Sequence, residues 1–142
     1  MAVVADSGAI YALYDAGDRH HKSVVRALRS ERGPVILPSA ILSEVDYLLR
    51  EFLGVDAELD FIYGILSGEY ALEPTTPNDI RRARDIIATY RDLDIGLADA
   101  AVAATADRLR IRTILTIDQR DFRVMLDHSG KPFRLLPADS GK

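Results

Sequence analysis

The chain has 142 residues, 22 of them acidic and 18 basic, and its formal net charge is −4. With 48% hydrophobic and 28% charged residues it can bury a core, so extensive disorder is excluded and one domain is expected. Because cysteine is absent, disulfides, iron–sulfur clusters and cysteine-based zinc sites are excluded. No apolar run reaches the roughly 18 residues of a membrane-spanning helix, and the N-terminus does not resemble a signal peptide. We therefore expect a cytoplasmic protein without membrane association.

Short apolar runs alternate along the chain with amphipathic segments. The runs predict buried strands at 2–5, 35–37, 70–72, 113–117 and 133–136. Apolar side chains at helical spacing predict helices at 9–14, 18–31, 38–53, 55–66, 77–90 and 96–109, with one or two further turns over 121–127. Strands separated by helices imply a parallel sheet with helices on both faces. Ligands bind to such sheets outside the carboxyl ends of the strands.

Cap residues and the end of the chain refine this prediction. Asp18 is a plausible N-cap of the second helix, and Thr76 followed by Pro77 is typical of a helix start. The Ala-rich segment 96–109 is apolar on nearly all sides, which indicates a buried helix. Residues 138–142 form a polar tail with no pattern that favours order, so a single domain is predicted over 1–137.

Two aspartates follow predicted strands. Asp6 comes directly after the first strand, and Asp118 comes directly after the fourth. Because the carboxyl ends of parallel strands meet at one edge of the sheet, both side chains are expected at that edge. Each could equally be the N-cap of the helical segment that follows it, and the sequence leaves this alternative open.

Two further acids lie in predicted helices. Glu44 is about 60° from Ile41 on the helical wheel, at the margin of the apolar stripe, and is expected to face partly inward. The alternative is a boundary residue that reaches solvent. Asp99 lies in the first turns of the Ala-rich helix, where a negative charge is favourable near the helix N-terminus. Its small apolar neighbours suggest instead a buried carboxylate that requires a partner.

A divalent cation would explain why these four acids lie together. Four carboxylates at one sheet edge repel one another unless a cation lies between them. Oxygen ligands without cysteine or histidine favour Mg²⁺ or Mn²⁺ over zinc. In such a site the metal can activate a water molecule and neutralise charge during hydrolysis of a phosphodiester.

The acids lie in four motifs, at Val3–Ile10, Pro38–Val45, Leu97–Ala104 and Leu115–Phe122. In this order and at these separations the motifs resemble the PIN-domain nucleases, and within them the VapC toxins of bacterial and archaeal toxin–antitoxin pairs. The resemblance covers nearly the whole chain. It implies a three-layer α/β/α sandwich with a five-stranded parallel sheet of order 3-2-1-4-5.

The resemblance also implies an activity and its residues. Asp6, Glu44, Asp99 and Asp118 match the acidic quartet that binds Mg²⁺ or Mn²⁺ in this family and drives endoribonuclease cleavage of RNA. A homodimer and a cognate VapB-like antitoxin are the implied protein partners. Three further residues are candidate auxiliary groups: Ser7, Thr116 and Asp121.

Alternatives to this interpretation remain at the level of the sequence. A phosphoacceptor domain of the receiver type also uses strand-end aspartates and Mg²⁺, and a non-catalytic binding module could keep the PIN fold. Basic residues could contact RNA phosphates, although ordinary surface charge is the favoured explanation for them. These residues form three clusters: His20-His21-Lys22, Arg81 with Arg82 and Arg84, and Arg108 with Arg110 and Arg112.

Overall fold

The computed structural model describes residues 1–141. The strands are β1 (Val3–Ala5), β2 (Val35–Pro38), β3 (Tyr70–Glu73), β4 (Thr113–Leu115) and β5 (Arg134–Leu136). The α-helices are α1 (Ser7–Tyr14), α2 (His21–Glu31), α3 (Leu42–Leu53), α4 (Val55–Leu66), α5 (Pro77–Thr89), α6 (Leu97–Arg108) and α7 (Gln119–Val124). Short 3₁₀ turns lie at Ser39–Ile41 and Arg91–Leu93. No helix among these residues is long and apolar enough to cross a membrane.

The sheet has the strand order β3-β2-β1-β4-β5, and all of its strand pairs are parallel. Val4 lies at the centre, with Ile36 beside it on one side and Ile114 on the other. Helices flank the sheet in a three-layer α/β/α sandwich. The predicted fold class and strand order are therefore confirmed, and the carboxyl ends of β1, β2 and β4 share one edge.

The centre of the molecule is built from the middle strands and the Ala-rich helix. The side chains of β1 and β4 are buried, and so are Ala100 to Ala106 of α6. Helix α6 packs against β1, β2, β4 and α5, and its small side chains allow the backbones to approach closely. The predicted buried helix is confirmed. It holds Asp99, in its first turn, against the edge of the sheet.

Two helix starts show where local sequence rules succeed and fail. Thr76 caps α5 as predicted: its hydroxyl accepts the Asp79 N–H at 3.1 Å, and the Asp79 carboxylate accepts the Thr76 N–H at 3.0 Å. Asp18 is not a helix cap, because α2 begins only at His21. The Asp18 carboxylate instead accepts the His20 N–H at 2.8 Å and forms a turn before the helix.

The fourth strand is shorter than predicted. It ends at Leu115, so Thr116 and Ile117 separate the strand from Asp118. The Thr116 N–H still donates to the Leu136 carbonyl at 2.9 Å, which keeps this segment beside β5. Helix α7 begins at Gln119, two residues earlier than predicted, because Asp118 caps it.

Asp139, in the predicted tail 138–142, packs against the rest of the structure, whereas residue 142 lies outside the described residues. Asp139 is 5% exposed, and its carboxylate accepts two hydrogen bonds from Arg123, at 2.7 and 2.5 Å. The same carboxylate accepts the Leu135 N–H at 2.8 Å. The prediction that this tail lacks order is therefore wrong for Asp139, because an ion pair with Arg123 holds it. The domain boundary at 137 stays a prediction.

An ion pair joins α5 to α6. The Arg108 guanidinium contacts both carboxylate oxygens of Asp79, at 2.8 and 3.0 Å, and also Glu73 at 2.9 Å. Burial opposes the ionisation of Asp79, but hydrogen bonds from Arg108 and Thr76 outweigh it and lower the pKa of this carboxyl. The pair fixes α6, and with it the residues near its N-terminus.

Replacing Asp79 tests this connection. The variant Asp79→Ala removes the N-cap partner of Thr76 and both contacts to Arg108, so it should lower the free energy of unfolding by about 2 kcal/mol. Urea unfolding followed by circular dichroism measures the change. Asp85→Ala on the same helix is the control, since its exposed carboxylate lies 3.9 Å from Arg84. Equal stabilities of the two variants would contradict the proposed connection.

Candidate metal centre

Asp6 is fixed between a strand and a helix. It directly follows β1 and caps α1, so its Oδ1 atom accepts the Ala9 N–H at 2.8 Å. Its Oδ2 atom accepts the hydroxyl hydrogen of Thr116. The side chain is 3% exposed. The capping alternative is therefore correct for Asp6, yet each carboxylate oxygen has two lone pairs, so capping does not exclude a further ligand.

Asp118 also caps a helix and contacts Thr116. It is the N-cap of α7, and its Oδ1 atom accepts the Asp121 N–H at 3.3 Å. Its own N–H donates to the Thr116 hydroxyl oxygen at 2.9 Å. Thr116 is 1% exposed and thus connects Asp6 to Asp118 through one hydroxyl group. Thr116, one of the candidate auxiliary residues, therefore contacts and positions both aspartates.

Glu44 differs from its prediction in one respect. It lies in the first turn of α3, and it is exposed rather than directed partly inward. The Ser7 hydroxyl, which is 5% exposed, donates to Glu44 Oε1. A helical wheel shows which side of α3 faces the core, but it does not show that Ser7 of α1 lies close enough to Glu44 to donate its hydroxyl. Ser7 therefore orients the carboxylate.

Three carboxylates come together closely. Asp99, Asp118 and Asp121 each offer an oxygen, and these oxygens lie within 4.8 Å of one another. In residues 1–141, Asp6 and Glu44 lie outside this set of three. Of the four acids predicted as ligands, the structure thus brings Asp99 and Asp118 into direct proximity and adds Asp121, which the sequence suggested only as an auxiliary group.

Electrostatic coupling extends this trio to the other two acids. Burial, and to a smaller extent the charges of Asp118, Glu44 and Asp121, together raise the pKa of Asp99 to about 6. The pKa of Asp6 is raised to about 7, mainly by burial, which outweighs the hydrogen bonds from Thr116 and Ala9 that lower it. The charges of Asp99 and Asp118 add to this increase. All five acids therefore belong to one coupled acidic site.

Asp121 supplies the evidence that a cation fits here. Asp121 is 9% exposed, and its Oδ1 atom is buried without a hydrogen-bond partner in the described chain. Burial and the neighbouring Asp118 raise the pKa of its carboxyl. Arg120 Nε lies 3.9 Å from Asp121 Oδ1, within ion-pair distance but too far for a hydrogen bond. A buried carboxylate oxygen without a hydrogen-bond donor, beside two more carboxylates, matches the all-oxygen environment of Mg²⁺ or Mn²⁺. The spacing of three residues from the Asp118 cap is the sequence signal for this placement.

Comparison with known proteins agrees with this architecture. The PIN domain family model matches residues 3–125. The chain is 34% identical over 135 residues to Ribonuclease VapC26 of Mycobacterium tuberculosis, a match that covers 95% of this chain and 100% of that protein.

Solved structures share the fold at lower sequence identity. VapC20 of Mycobacterium tuberculosis, described as a sarcin–ricin loop cleaving toxin, matches with a TM-score of 0.75 and 22% identity, over 84% of this chain and 92% of that one. VapBC2 from Rickettsia felis, solved bound to a DNA fragment from their promoter, matches with a TM-score of 0.67 and 12% identity. That match covers 95% of this chain and 97% of the other.

The chain belongs to the PIN-domain family, and within that family to the VapC-type members. The resemblance carried by the four motifs is therefore confirmed. The receiver-type alternative is wrong, because the sheet order differs from the 2-1-3-4-5 order of receiver folds.

The raised pKa values predict how the metal-free protein responds to pH. The pKa of Asp6 rises from 3.8 to about 7 on folding, so between these values the folded state binds more protons than the unfolded state. Stability should therefore fall as the pH rises from about 4 to about 7, because a buried carboxylate must then carry charge. Thermal unfolding in EDTA across this range measures the effect.

Two variants serve as controls for this pH response. Asp6→Asn cannot ionise, so its melting temperature should change less across the range than that of the unaltered protein. Asp85→Asn alters an exposed acid on α5 and should leave the profile unchanged. A melting temperature of the unaltered protein that increases steadily from about pH 4 to about pH 7 would contradict the assigned burial of charge.

Proposed function

We propose that this protein is a metal-dependent endoribonuclease and the toxin component of a VapBC toxin–antitoxin pair. The observation that carries the proposal is the acidic site, in which oxygens of Asp99, Asp118 and Asp121 lie within 4.8 Å of one another and Asp121 has a buried oxygen without a hydrogen bond in the described chain. The 34% identity to Ribonuclease VapC26 supports RNA as the substrate. The fold shared with VapC20, a toxin, supports the biological role.

Asp99, Asp118 and Asp121 would hold Mg²⁺ or Mn²⁺, and Asp6 and Glu44 would complete the acidic wall around it. Bound there, the cation would lower the pKa of a water molecule and neutralise charge at the phosphodiester. Cation binding at carboxyls with raised pKa values releases protons, so metal affinity should increase with pH.

The residues around the acids would keep them in place. The Thr116 hydroxyl and the N-terminus of α1 hold Asp6, and the Ser7 hydroxyl holds Glu44. These contacts restrict the carboxylates before substrate binds, which lowers the reorganisation required at the reacting phosphate. Ser7 and Thr116 are therefore assigned as positioning residues.

The proposed biology includes two protein partners. A cognate VapB-like antitoxin is supported by the fold shared with VapBC2 of Rickettsia felis, which was solved together with promoter DNA. A homodimer and a cytoplasmic location complete the proposal. Both stay predictions from the sequence.

A cleavage assay tests the proposed activity. We expect the purified protein to cut RNA with Mg²⁺ or Mn²⁺ and to stop when EDTA is added. Asp99→Asn and Asp118→Asn should each lower kcat/KM by about a hundredfold or more, since each removes one carboxylate of the trio. Cleavage of labelled RNA resolved on a denaturing gel is the measurement.

Asp85→Asn is the matched control for these variants, because it makes the same chemical change at an exposed position on α5. Cleavage that continues in EDTA, or an Asp99→Asn variant that cuts at the unaltered rate, would contradict the proposal. An unaltered protein that binds RNA with metal present but never cuts it would support the non-catalytic binding module instead.

A further inference from the structure

Most of the arginines that the sequence suggested for RNA contact are engaged within the protein. Arg108 pairs with Asp79 and Glu73, and Arg112 pairs with Asp127. The same holds for Arg82 and Arg110, which both lie near Asp107, and for Arg84, which lies near Asp85. Carboxylates therefore already neutralise much of the positive charge on α5 and around the end of α6.

The positive charge on α2 is different. Lys22, Arg26 and Arg29 recur at intervals of four and three residues, so they lie within about 60° of one another on the helix. They face away from Val24 and Ala27, which bury α2 against the core. In the described chain none of the three has a carboxylate within ion-pair distance. We call these three residues the α2 basic stripe.

The acids at the two ends of α2 form contacts elsewhere. The Asp18 carboxylate accepts the backbone N–H of His20 in the turn before the helix. Glu31, at the far end of α2, pairs with Arg134 at 2.6 Å. The stripe lines a shallow groove of about 280 Å³ together with His21 and Val25. An unneutralised row of cations in a chain of net charge −4 indicates an anionic partner.

A second cavity lies between the start of α2 and the segment that carries Thr116. Its volume is about 240 Å³, and its lining includes His20, Ser23, Thr116 and Gln119. Thr116 is the residue whose hydroxyl donates to Asp6. The start of α2 thus shares a cavity with the residue that positions Asp6, and the basic stripe begins at Lys22 at this same end of the helix.

We propose that the α2 basic stripe binds the sugar–phosphate backbone of the single-stranded RNA whose scissile phosphate lies at the acidic site. This inference rests on the proposed function and adds the path of the substrate. The acidic site repels the polyanion, so binding requires cations close by. Lys22 to Arg29 span about 10 Å of helix axis, which allows contact with more than one phosphate at a time.

Binding without cleavage tests this path. The triple variant Lys22→Gln, Arg26→Gln, Arg29→Gln is compared with the unaltered full chain in EDTA, using a short fluorescein-labelled single-stranded RNA and fluorescence anisotropy. Removing three phosphate contacts should weaken binding about tenfold or more at low salt. It should also reduce the slope of log K against log salt concentration by about 2.

The control removes the same charge elsewhere. Arg81→Gln, Arg91→Gln and Lys131→Gln together alter three exposed bases on α5, in the turn Arg91–Leu93 and in the loop before β5, none of which has a carboxylate within ion-pair distance in the described chain. This control should bind the RNA within about twofold of the unaltered chain. Circular dichroism and melting temperature establish that both triple variants are folded.

Several results would overturn the inference. It is wrong if the α2 variant is folded and binds RNA as tightly as the control, or if the unaltered chain does not bind the RNA at all. It is also wrong if the α2 variant keeps its RNA affinity and loses only the antitoxin, since the stripe would then serve a protein contact. Binding that depends on α2 without any cleavage in Mg²⁺ would overturn the proposed function and support the RNA path.

Discussion

The structure depends on holding negative charges closer together than they would lie in water. Asp99, Asp118 and Asp121 share a space of less than 5 Å at one edge of the sheet, and burial with mutual repulsion raises the pKa of both Asp99 and Asp121. Such an arrangement destabilises the metal-free protein at neutral pH. Fixed elements around the acids, rather than attraction among them, keep them in place, and a divalent cation would relieve the repulsion.

Those fixed elements are ordinary parts of the fold. Asp6 and Asp118 each cap a helix, so the carboxylates that accept a backbone N–H of the first helical turn also face the site. Thr116 connects the two through one hydroxyl group. Helix α6, fixed to α5 by the pair of Arg108 with Asp79, brings Asp99 to them. Capping a helix therefore does not exclude the proposed ligand role of the same residue, and the two interpretations of the sequence are compatible.

Much of this arrangement follows from local sequence patterns. Asp6 and Asp118 were predictable because strand ends in a parallel sheet share one edge, and Asp99 because small apolar residues surround it. Glu44 was harder, since a helical wheel gives direction within one helix and not the contacts that another helix provides. Asp139 and the ion pairs of Arg108 and Arg112 depend on residues distant in sequence, and no local pattern encodes them. The four family motifs supplied what periodicity could not.

The central claim is that Asp99, Asp118 and Asp121 bind a divalent cation. The most direct measurement is a crystal of this protein soaked with Mn²⁺ and recorded for anomalous scattering. We expect one peak in contact with oxygens of all three residues, at a metal–oxygen distance of roughly 2.1 Å, and a weaker peak in crystals of Asp121→Asn. Well-ordered carboxylates with no anomalous peak between them, at neutral pH and saturating Mn²⁺, would contradict the central claim.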